Sequence, residues 1–447
     1  MRRGKSLALA LALAACSKGA QLPDSAGYGP DPVIPRPDYG LAPILIPKPL
    51  GWHGGAMPQA AAGLRVQPFA TGLIHPRWLL ALPNGDVLVA ESDATGEPVK
   101  RPKDLFMLAA MARATAAVRP PNRISLLRDA DHDGRADSRT TLIDGLEAPI
   151  GMALVGDQLY VADTQALLRY RYRLGAGRTD GPGQLVTRLP GGAINHHWTK
   201  TLLASPGGKR LYVGVGSNSN VGENGLENER ERAAILEIDP ASGQHRVFAS
   251  GLRNPVGMDW NPQTGALWVV VNERDEIGDN ASPDYITSVR PGGFYGWPWS
   301  YWGQHEDRRA WPRNPAMVAR AIKPDYGIGS HGGSLGLAFA PGPTLGPEFG
   351  EGAFVGQHGS WNRTRPFGYR VIFVPFSGGR PSGMPRVVLG GFLGAEGFHG
   401  RPVGLAFDSS GALLVADDMG NTVWRVTASR PNPPPGAASP GQSPRAR

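Results

Sequence analysis

Hydrophobic and polar residues alternate over short stretches of the chain, and these stretches come in pairs joined by glycine-containing turns. The pair in residues 72–91 reads GLIHPRWLLALPNGDVLVAE. Alternation with a period of two predicts strands with one buried face, and a glycine-containing turn between them predicts an antiparallel hairpin. We therefore expect β-sheet to form most of the folded part.

The paired pattern occurs six times. Each copy has a loop, an apolar strand, a turn and a second apolar strand that ends in a polar residue. The other copies cover residues 145–163, 251–273 and 400–418, and two looser ones start at His196 and Ser334. Repeated small strand units of this kind are typical of β-propeller blades around a central channel. The sequence thus predicts an all-β, six-bladed β-propeller.

The first residues follow another pattern. MRRGKSLALALALAAC has a basic start, an apolar run from Leu7 to Ala15 and a final Cys16. This is the order of a secretory signal, and LAAC resembles the bacterial lipoprotein box, whose cysteine is lipidated. Cleavage near Ala15 that leaves a thiol is the alternative. Because Cys16 is the single cysteine and Ser17 follows it, we expect a lipoprotein of the bacterial cell envelope, anchored at the periplasmic face of the outer membrane.

Composition divides the chain after the signal of residues 1–16 into three parts. Residues 17–62 are rich in proline, glycine and alanine, which predicts an extended tether between anchor and propeller. Residues 63–427 contain the strand pairs. Residues 428–447 are again rich in proline and are predicted to form a disordered tail.

The charge distribution restricts the expected partners. The 447 residues have a formal net charge of +8, but no run of lysine or arginine indicates a nucleic-acid-binding arm. We expect no nucleic acid partner, and contact with the membrane through the lipid anchor alone. The positive balance fits anionic small ligands or serves solubility.

In every copy the residues just before the first strand are expected at the same end of the blade. Propeller loops at one end meet around the channel mouth. Histidine and arginine recur there, which predicts a basic pocket lined by imidazoles, although bonding to backbone between blades is the alternative for single side chains. The residues are His75, Arg77, His196, His197, Arg253, Asn254, His331, His399 and Arg401.

Several segments, taken together and in this order, resemble one family. They are HHWTKTLLASPGGKRLYVGVGSNSN, GLRNPVGMDW, VNERDEIGDN, PGGFYGWPWSYWG and HGSWNR. The family is that of the soluble pyrroloquinoline quinone (PQQ) sugar dehydrogenases, in its sorbosone dehydrogenase branch. The resemblance implies a six-bladed propeller that oxidises an aldose or sugar aldehyde with calcium-bound PQQ at the channel mouth.

The resemblance also implies roles for single residues. A histidine takes the proton of the sugar hydroxyl while hydride leaves carbon, and His197 matches the position of that base. His196 would point elsewhere in an extended segment and pack against a neighbouring blade. The three carboxylates of PQQ need cationic and polar contacts. The corresponding residues are Lys200, Arg253, Asn254, Asn272, Arg363, His399 and Arg401.

Calcium would act as a Lewis acid on the quinone carbonyl. By the resemblance, the backbone carbonyls of Glu273 and Arg274 hold the ion, and a carboxylate of Glu273, Asp275, Glu276 or Asp279 is the alternative. These acids also fit a solvated loop that binds no metal.

The family often has a lysine in the segment that reads GQHGSWNR here. This chain lacks that lysine. His358, Asn362 or Arg363 must therefore supply its contact, or PQQ binds differently.

The stretch RDADHDGRAD suggests a second cation site. Asp129, Asp131, Asp133 and Asp137 have the oxygen spacing of a structural calcium loop, and Gly134 allows a sharp turn. A polar hairpin turn without an ion is the alternative.

Two further segments have distinctive patterns. Residues 99–118 predict a helix that ends before Pro120. The aromatic stretch FYGWPWSYWG either stacks on sugars or packs inside a blade.

Three function classes remain in view. The first is a PQQ- and calcium-dependent sugar dehydrogenase with a cytochrome or quinone as electron acceptor. The second is a calcium-dependent sugar lactonase, which needs metal-binding carboxylates and amides in the channel rather than a basic mouth. The third is a non-catalytic propeller, which has no use for the histidines and arginines. The chain has no GxGxxG turn between a strand and a helix, which speaks against a nicotinamide cofactor.

Overall fold

The computed structural model describes residues 22–40, 42, 44–94 and 119–429. The predicted signal with Cys16, the predicted helix at residues 99–118 and residues 430–447 of the predicted tail 428–447 lie outside the described residues.

Six four-stranded antiparallel sheets form the body of the protein, and we number them as blades in chain order. The strands of blades 1 to 3 are Pro76–Ala81, Val87–Glu91, Arg123–Arg128, Ser138–Ile143; Gly151–Val155, Gln158–Ala162, Ala166–Arg171, Gln184–Arg188; and Lys200–Ala204, Leu211–Val215, Ala234–Ile238, His245–Ser250. Those of blades 4 to 6 are Pro255–Trp260, Leu267–Val271, Pro283–Ser288, Tyr326–Ser330; Ser334–Phe339, Gly352–Gln357, Arg370–Ser377, Arg386–Gly390; and Pro402–Phe407, Leu413–Asp417, Thr422–Ala428, Leu64–Ala70.

The blades close into a ring. The first strands of neighbouring blades adjoin one another from blade 1 to blade 6 and back to blade 1. The last strand of blade 6 comes from the N-terminal side of the propeller, because Leu64–Ala70 pairs with Thr422–Ala428. Each of the six sequence copies forms the first two strands of one blade, so the predicted six-bladed β-propeller is confirmed.

The inner strands approach one another closely because glycine stands where they meet. A Cβ atom on Gly336 would lie 2.1 Å from the carbonyl oxygen of Val403 in the next blade. Gly151, Gly257 and Gly404 have similar contacts across three other inner junctions. Farther out, large side chains fill the space between sheets. Their burial supplies most of the stabilisation, at roughly 1.5–3 kcal/mol for each large apolar side chain.

Residues 22–62, which we call the N-terminal strap, differ from the predicted extended tether. Tyr28–Gly29 adds to the edge of blade 4, and Gln59–Ala60 adds to the edge of blade 5. Between them Trp52 donates its indole N–H to Asp417, at 2.7 Å, and packs on Trp424. The prediction of a segment that stands apart from the propeller is therefore wrong for the described part of the strap. Composition misled it, because proline and glycine also suit edge strands and turns.

A long insertion in blade 4 lies between its third and fourth strands. It contains the hairpin of Ser300–Tyr301 and His305–Glu306 and the helix Pro315–Arg320. Asn314 caps this helix by accepting a hydrogen bond from the backbone N–H of Met317. The remaining short elements are Arg380–Pro381 and the 3₁₀ turns Asp24–Gly27, Leu226–Glu229 and Pro347–Phe349. Within the described ranges, no helix has the length and apolar character needed to cross a membrane.

Candidate functional site

Polar side chains from five blades lie around one end of the channel and are linked by polar contacts. We call this set of residues the mouth ring. It uses loops before the first strand and residues at the end of the second strand. Both positions lie at the same end of a blade, as the sequence predicted for the first of them. The ring residues are Arg77, His197, Ser217, Arg253, Asp275, His331, His358 and Asp418.

Side-chain contacts and backbone hydrogen bonds link the ring members one after another. His197 bonds to Ser217, whose backbone N–H donates to the carbonyl of Arg253, at 2.8 Å. Arg253 pairs with Asp275, which lies 3.7 Å from the ring of His331. Two residues after His331, Gly333 accepts the backbone N–H of His358 at 2.9 Å.

The ring closes through blades 6 and 1. His358 donates to Asp418 at 2.8 Å, and Asp418 also accepts from Arg77 at 2.5 Å. The guanidinium of Arg77 lies 5.6 Å from the ring centre of Trp198, the neighbour of His197 in the chain. The loops of the mouth are thus linked to one another by polar contacts.

The tautomer of His197 follows from its contacts. Its Nδ1 lies 2.9 Å from the carbonyl oxygen of Ser217 and 3.0 Å from the hydroxyl of the same residue. That hydroxyl gives its own proton to the carbonyl of Ser219, at 2.6 Å. Both neighbours therefore accept, so Nδ1 carries the hydrogen and Nε2 keeps a lone pair.

Burial lowers the pKa of His197 well below its usual range, and the charge of Arg253 and the neighbouring His196 lower it further. The imidazole is consequently neutral at pH 7. A neutral imidazole with a fixed Nε2 lone pair is the form that a general base needs.

His196 does not lie where the sequence predicted. It is exposed, and its ring meets that of His197 edge-on with the centres 4.7 Å apart. The prediction that it packs against a neighbouring blade is wrong. The two residues precede the strand that starts at Lys200, so strict alternation of side chains does not apply to them.

Two buried cations hold the loop that carries His197. Arg232 donates to the carbonyl of Pro190 at 2.7 Å, to Asn195 at 2.8 Å and to the carbonyl of His197 at 3.2 Å. Lys200 donates to the carbonyl of Trp198 at 3.1 Å. Sequence reasoning missed Arg232. This residue lies just before the third strand of blade 3, outside the repeated positions.

Lys200 was predicted to contact a PQQ carboxylate. It is 1% exposed, and burial lowers its pKa well below the usual range. Burial thus weakens it as a cationic contact, and its donors are used within the loop. The structure places it under the site rather than in it.

Arg253 was also predicted to contact PQQ, and it occupies the centre of the ring. It is fully buried and donates to the carbonyl of Glu273 and to Asp275, both at 2.7 Å. Asp275 stays ionised, because Arg253 and His331 lower its pKa against the opposing effect of burial. Much of the positive charge predicted for this pocket is therefore neutralised by Asp275 and Asp418.

Of the two carbonyls predicted to hold the catalytic calcium, that of Glu273 is engaged by a cation, and calcium binding at Arg274 stays a prediction. The carbonyl of Glu273 accepts from the guanidinium of Arg253, and a cation at the same oxygen would face that positive charge. The carboxylate of Glu273 faces Arg274, whose side chain points away from the mouth to Asp307 and the ring of Tyr301. The alternative Asp279 accepts from Thr364.

His358 belongs to a second histidine cluster around Asp418. Because a carboxylate can only accept, the Nε2 of His358 carries the hydrogen of this bond. Burial, together with the charge of Arg401, lowers the pKa of His358 to about 3 although Asp418 opposes the shift. His75 lies 3.6 Å from the same carboxylate and contacts the carbonyl of Ser92. Sequence reasoning missed Asp418.

Three predicted cofactor contacts are used elsewhere. Arg363 donates to the carbonyl of Ser330 and to Asp24 of the N-terminal strap. His399 bonds to the carbonyl of Gly51 and stacks on Trp52 of the strap. Arg401 donates to the carbonyls of His358 and Gly359, so it fixes the loop that carries His358. The sequence did not indicate the contacts of the first two residues with the strap, and the roles of all three toward a cofactor stay predictions.

The remaining predicted contacts lie at the ring. Asn254 follows Arg253, and Asn272 contacts both Arg253 and Asp284. Asn362, considered as a replacement for the missing lysine, donates to Asp275 at 3.0 Å. Their roles toward a cofactor stay predictions.

Several buried polar atoms of the ring region have no hydrogen-bond partner among the described residues. Among them are Arg77 Nε, Asn254 Oδ1, His331 Nδ1, Asn362 Oδ1 and Asp418 Oδ1. Burying such atoms without a partner is costly, so their presence together favours a polar ligand. The donor on Arg77 suits a carboxylate, and the acceptors suit sugar hydroxyls. The ring thus fits a polar, carboxylate-bearing cofactor such as PQQ next to a sugar.

The aspartate-rich loop joins the third and fourth strands of blade 1 as a hairpin. Oxygens of Asp129, Asp131 and Asp137 lie within 4.8 Å of one another, and Asp133 instead accepts the backbone N–H of Arg135. Gly134 has φ +87°, as the predicted sharp turn requires. Three of the four predicted ligands therefore converge, and cation binding stays a prediction.

The aromatic stretch 294–303 packs inside the protein. Its side chains Phe294, Tyr295, Trp297, Tyr301 and Trp302 are each at most 7% exposed. They support the blade 4 insertion, which favours the packing alternative over sugar stacking.

The family model described as TrAA12-like matches residues 124–293 and 314–429, more than half of the chain. The pyrroloquinoline quinone-dependent pyranose dehydrogenase of Coprinopsis cinerea is 25% identical over 302 residues, which cover 52% of this chain and 39% of that protein. An uncharacterized protein of Borreliella burgdorferi is 28% identical over 246 residues, which cover 54% of this chain and 64% of that protein.

The chain thus spans less than two thirds of the length of these two relatives. The holo form of the PQQ domain of the Coprinopsis cinerea enzyme has a similar fold, with a TM-score of 0.67 and 21% identity over 86% of this chain and all of that domain. By the match of its family model, this chain belongs to the TrAA12-like family.

Proposed function

We propose that this protein is a PQQ-dependent sugar dehydrogenase. The observation that carries the proposal is the mouth ring, in which oriented neutral imidazoles stand beside buried polar atoms that lack partners. The match to the pyrroloquinoline quinone-dependent pyranose dehydrogenase of Coprinopsis cinerea supports the same chemistry. The sorbosone-like substrate predicted from the sequence is the finer form of this proposal.

Within the ring, Arg77 has the unused donor that a PQQ carboxylate would meet, and Asn254, Asn272 and Asn362 are the neighbouring polar groups. Arg253 is fully buried and its guanidinium already donates to Glu273 and Asp275, so it would act by holding this side of the ring. Bound PQQ supplies the acceptor for the two electrons that leave the sugar carbon. The chain itself orients the sugar and removes the hydroxyl proton. Calcium enters the proposal only as a requirement to be measured, because the carbonyl of Glu273 contacts Arg253.

His197 is the base that we propose. Its Nε2 lone pair accepts the sugar hydroxyl proton, and the resulting positive charge is stabilised through Nδ1–H by the two oxygens of Ser217. His358 is the second candidate, because its Nε2–H donates to Asp418 and leaves Nδ1 as an acceptor. A carboxylate that orients an imidazole is a recurrent arrangement for proton transfer.

A lactonase is less consistent with the ring. Hydrolases of that class need acids and amides that converge on a metal ion in the channel. Here Asp275 and Asp418 are the ring carboxylates, and each pairs with an arginine.

The experiment is reconstitution of the purified protein with PQQ and with calcium, separately and together, followed by dye-linked oxidation of a panel of aldoses and sugar aldehydes including sorbosone. We expect turnover with PQQ, lost after removal of the cofactor and restored by its return. Chelation then measures the calcium requirement independently. Equal turnover with a nicotinamide cofactor and no PQQ would refute the proposal.

A further inference from the structure

Trp311 in the blade 4 insertion is 77% exposed, although the loop that displays it is firmly held. Just before it, the buried carboxylate of Asp307 pairs with Arg274 and with Arg309. Just after it, the indole of Trp299 donates to the carbonyl of Pro312 at 2.8 Å. A large aromatic side chain fixed in solvent costs hydrophobic free energy and loses little entropy when a partner covers it.

The surroundings of Trp311 are positively charged. Arg308 is exposed. Arg313 lies 3.8 Å from Glu306, and both side chains are half-exposed. This ion pair is weak because solvent screens it. Tyr39 of the N-terminal strap, 41% exposed, lies against the same loop, because its hydroxyl accepts the backbone N–H of Arg308. We call Tyr39, Arg308, Trp311 and Arg313 the insertion surface.

The insertion surface adjoins the mouth ring. Arg309 donates to the carbonyl of Asp275 at 3.0 Å and to that of Glu276 at 3.2 Å, while its guanidinium covers the ring of Tyr39. Asp275 in turn pairs with Arg253 at the centre of the ring. A protein bound to Trp311 would therefore stand beside the opening where a substrate is oxidised.

We propose that the insertion surface docks an acidic redox protein that accepts electrons one at a time. The proposal rests on the proposed dehydrogenase function. Oxidation of one sugar molecule releases two electrons and two protons, so two acceptor molecules are each reduced by one electron and the protons pass to water. Tryptophan and arginine are the residues that most often dominate protein interfaces, and charge steering raises the association rate of such partners.

A carbohydrate chain is the competing occupant, because exposed tryptophan also stacks on sugars. The flanking arginines argue against it, since a neutral sugar gains little from two cations, whereas an acidic protein surface complements them. Charge reversal at the arginines and added salt should weaken binding of an acidic protein, whereas binding of a neutral carbohydrate should respond little to either.

The binding test uses the complete protein and two probes, an acidic c-type cytochrome and a basic one. We expect the acidic cytochrome to bind at low ionic strength and to be released by salt. Arg308→Glu combined with Arg313→Glu should weaken this binding at least about tenfold, and Trp311→Ala should do so by a similar factor. The matched control is Arg178→Glu with Arg188→Glu, the same charge change on exposed residues of blade 2, which should leave binding unchanged.

Kinetic measurements test the docking proposal separately from the proposed dehydrogenase function. In the PQQ-loaded protein, Trp311→Ala should keep dye-linked turnover and lose turnover with the acidic cytochrome. Absence of dye-linked turnover in the wild type would refute the dehydrogenase function, while the binding test still judges the surface. Equal binding of both cytochromes, or equal effects of the charge reversals on blade 4 and blade 2, would overturn the docking proposal. So would binding of a neutral oligosaccharide that needs Trp311 but not the arginines.

Discussion

At the scale of the residue, the contacts of His197 separate it from its neighbour His196. His197 has a fixed tautomer and a neutral ring, whereas His196 is exposed beside it. We expect His197→Ala to lower the rate of reduction of bound PQQ by about 10²–10⁴-fold, the usual contribution of a positioned base, with little effect on PQQ affinity. Stopped-flow absorbance of the cofactor measures both quantities.

His196→Ala is the matched control and should have a much smaller effect on the reduction rate. If both variants reduce PQQ at the wild-type rate, the base is elsewhere, and His358→Ala becomes the decisive variant because His358 is the second oriented imidazole of the ring.

The lowered pKa of His358 leads to a prediction about the stability of the protein in acid. Its pKa is about 3 in the folded protein, against about 6.5 for an unperturbed histidine. Between these values the unfolded chain binds the proton and the folded one does not, so the free energy of unfolding falls as the pH falls below about 6.5. The slope due to this residue approaches about 1.4 kcal/mol per pH unit.

Denaturant titrations from pH 7.5 down to pH 4 measure this slope. His358→Asn should make it shallower by up to that amount. His132→Asn, a change at an exposed histidine with φ +60° that asparagine tolerates, is the control and should keep the wild-type slope. Equal slopes in all three proteins would contradict the assignment of a buried neutral His358.

Single site residues were predictable where they belong to a repeated position. His197, Arg253 and Asn254 precede first strands, and the structure brings them together. Asp418 also belongs to a repeated position, the polar end of a second strand, but the repeat alone does not show what those ends face. Arg232 belongs to neither position, and only the folded loop around His197 reveals it.

At the scale of the element, the inner strands depend on glycine for their close approach. Gly336→Ala places a methyl group 2.1 Å from the carbonyl oxygen of Val403, which the backbone of blade 6 must accommodate. We expect a loss of about 1–3 kcal/mol in the free energy of unfolding, measured by denaturant titration. Gly177→Ala is the control, because its added Cβ would meet no atom within 4 Å. Equal stability of the two variants would contradict this account of the inner junctions.

Strands were predictable elements because alternation of polar and apolar residues marks a half-buried sheet. The N-terminal strap was not, since its contacts are made by isolated residues such as Tyr28 and Trp52 spaced by turns. No periodic pattern marks a segment that follows the surface of three blades. Arg363 and His399, predicted as cofactor contacts, face this strap for the same reason.

At the scale of the whole molecule, the repeat was enough to predict the blade number and the end of the channel at which polar loops meet. The repeat did not predict how the propeller closes. The strand Leu64–Ala70 lies outside the repeated strand pairs, and it completes blade 6 by pairing with Thr422–Ala428. The charge of the mouth was also beyond the sequence, because Asp275 and Asp418 neutralise arginines only after blades that are distant in the chain meet.

The position of the strap gives the predicted lipid anchor a further consequence. The described part of the strap begins at residue 22, six residues after Cys16, and is fixed to the propeller by Asp24 and Tyr28. Six residues span at most roughly 20 Å, so a lipid on Cys16 would keep the propeller close to the membrane surface. Cys16→Ala should release the protein from the membrane fraction without a change in melting temperature, since the described contacts of the strap with the propeller begin at Asp24 and Tyr28. Cell fractionation and thermal unfolding measure the two results. A variant that stays with membranes after a salt wash would show that another surface anchors the protein.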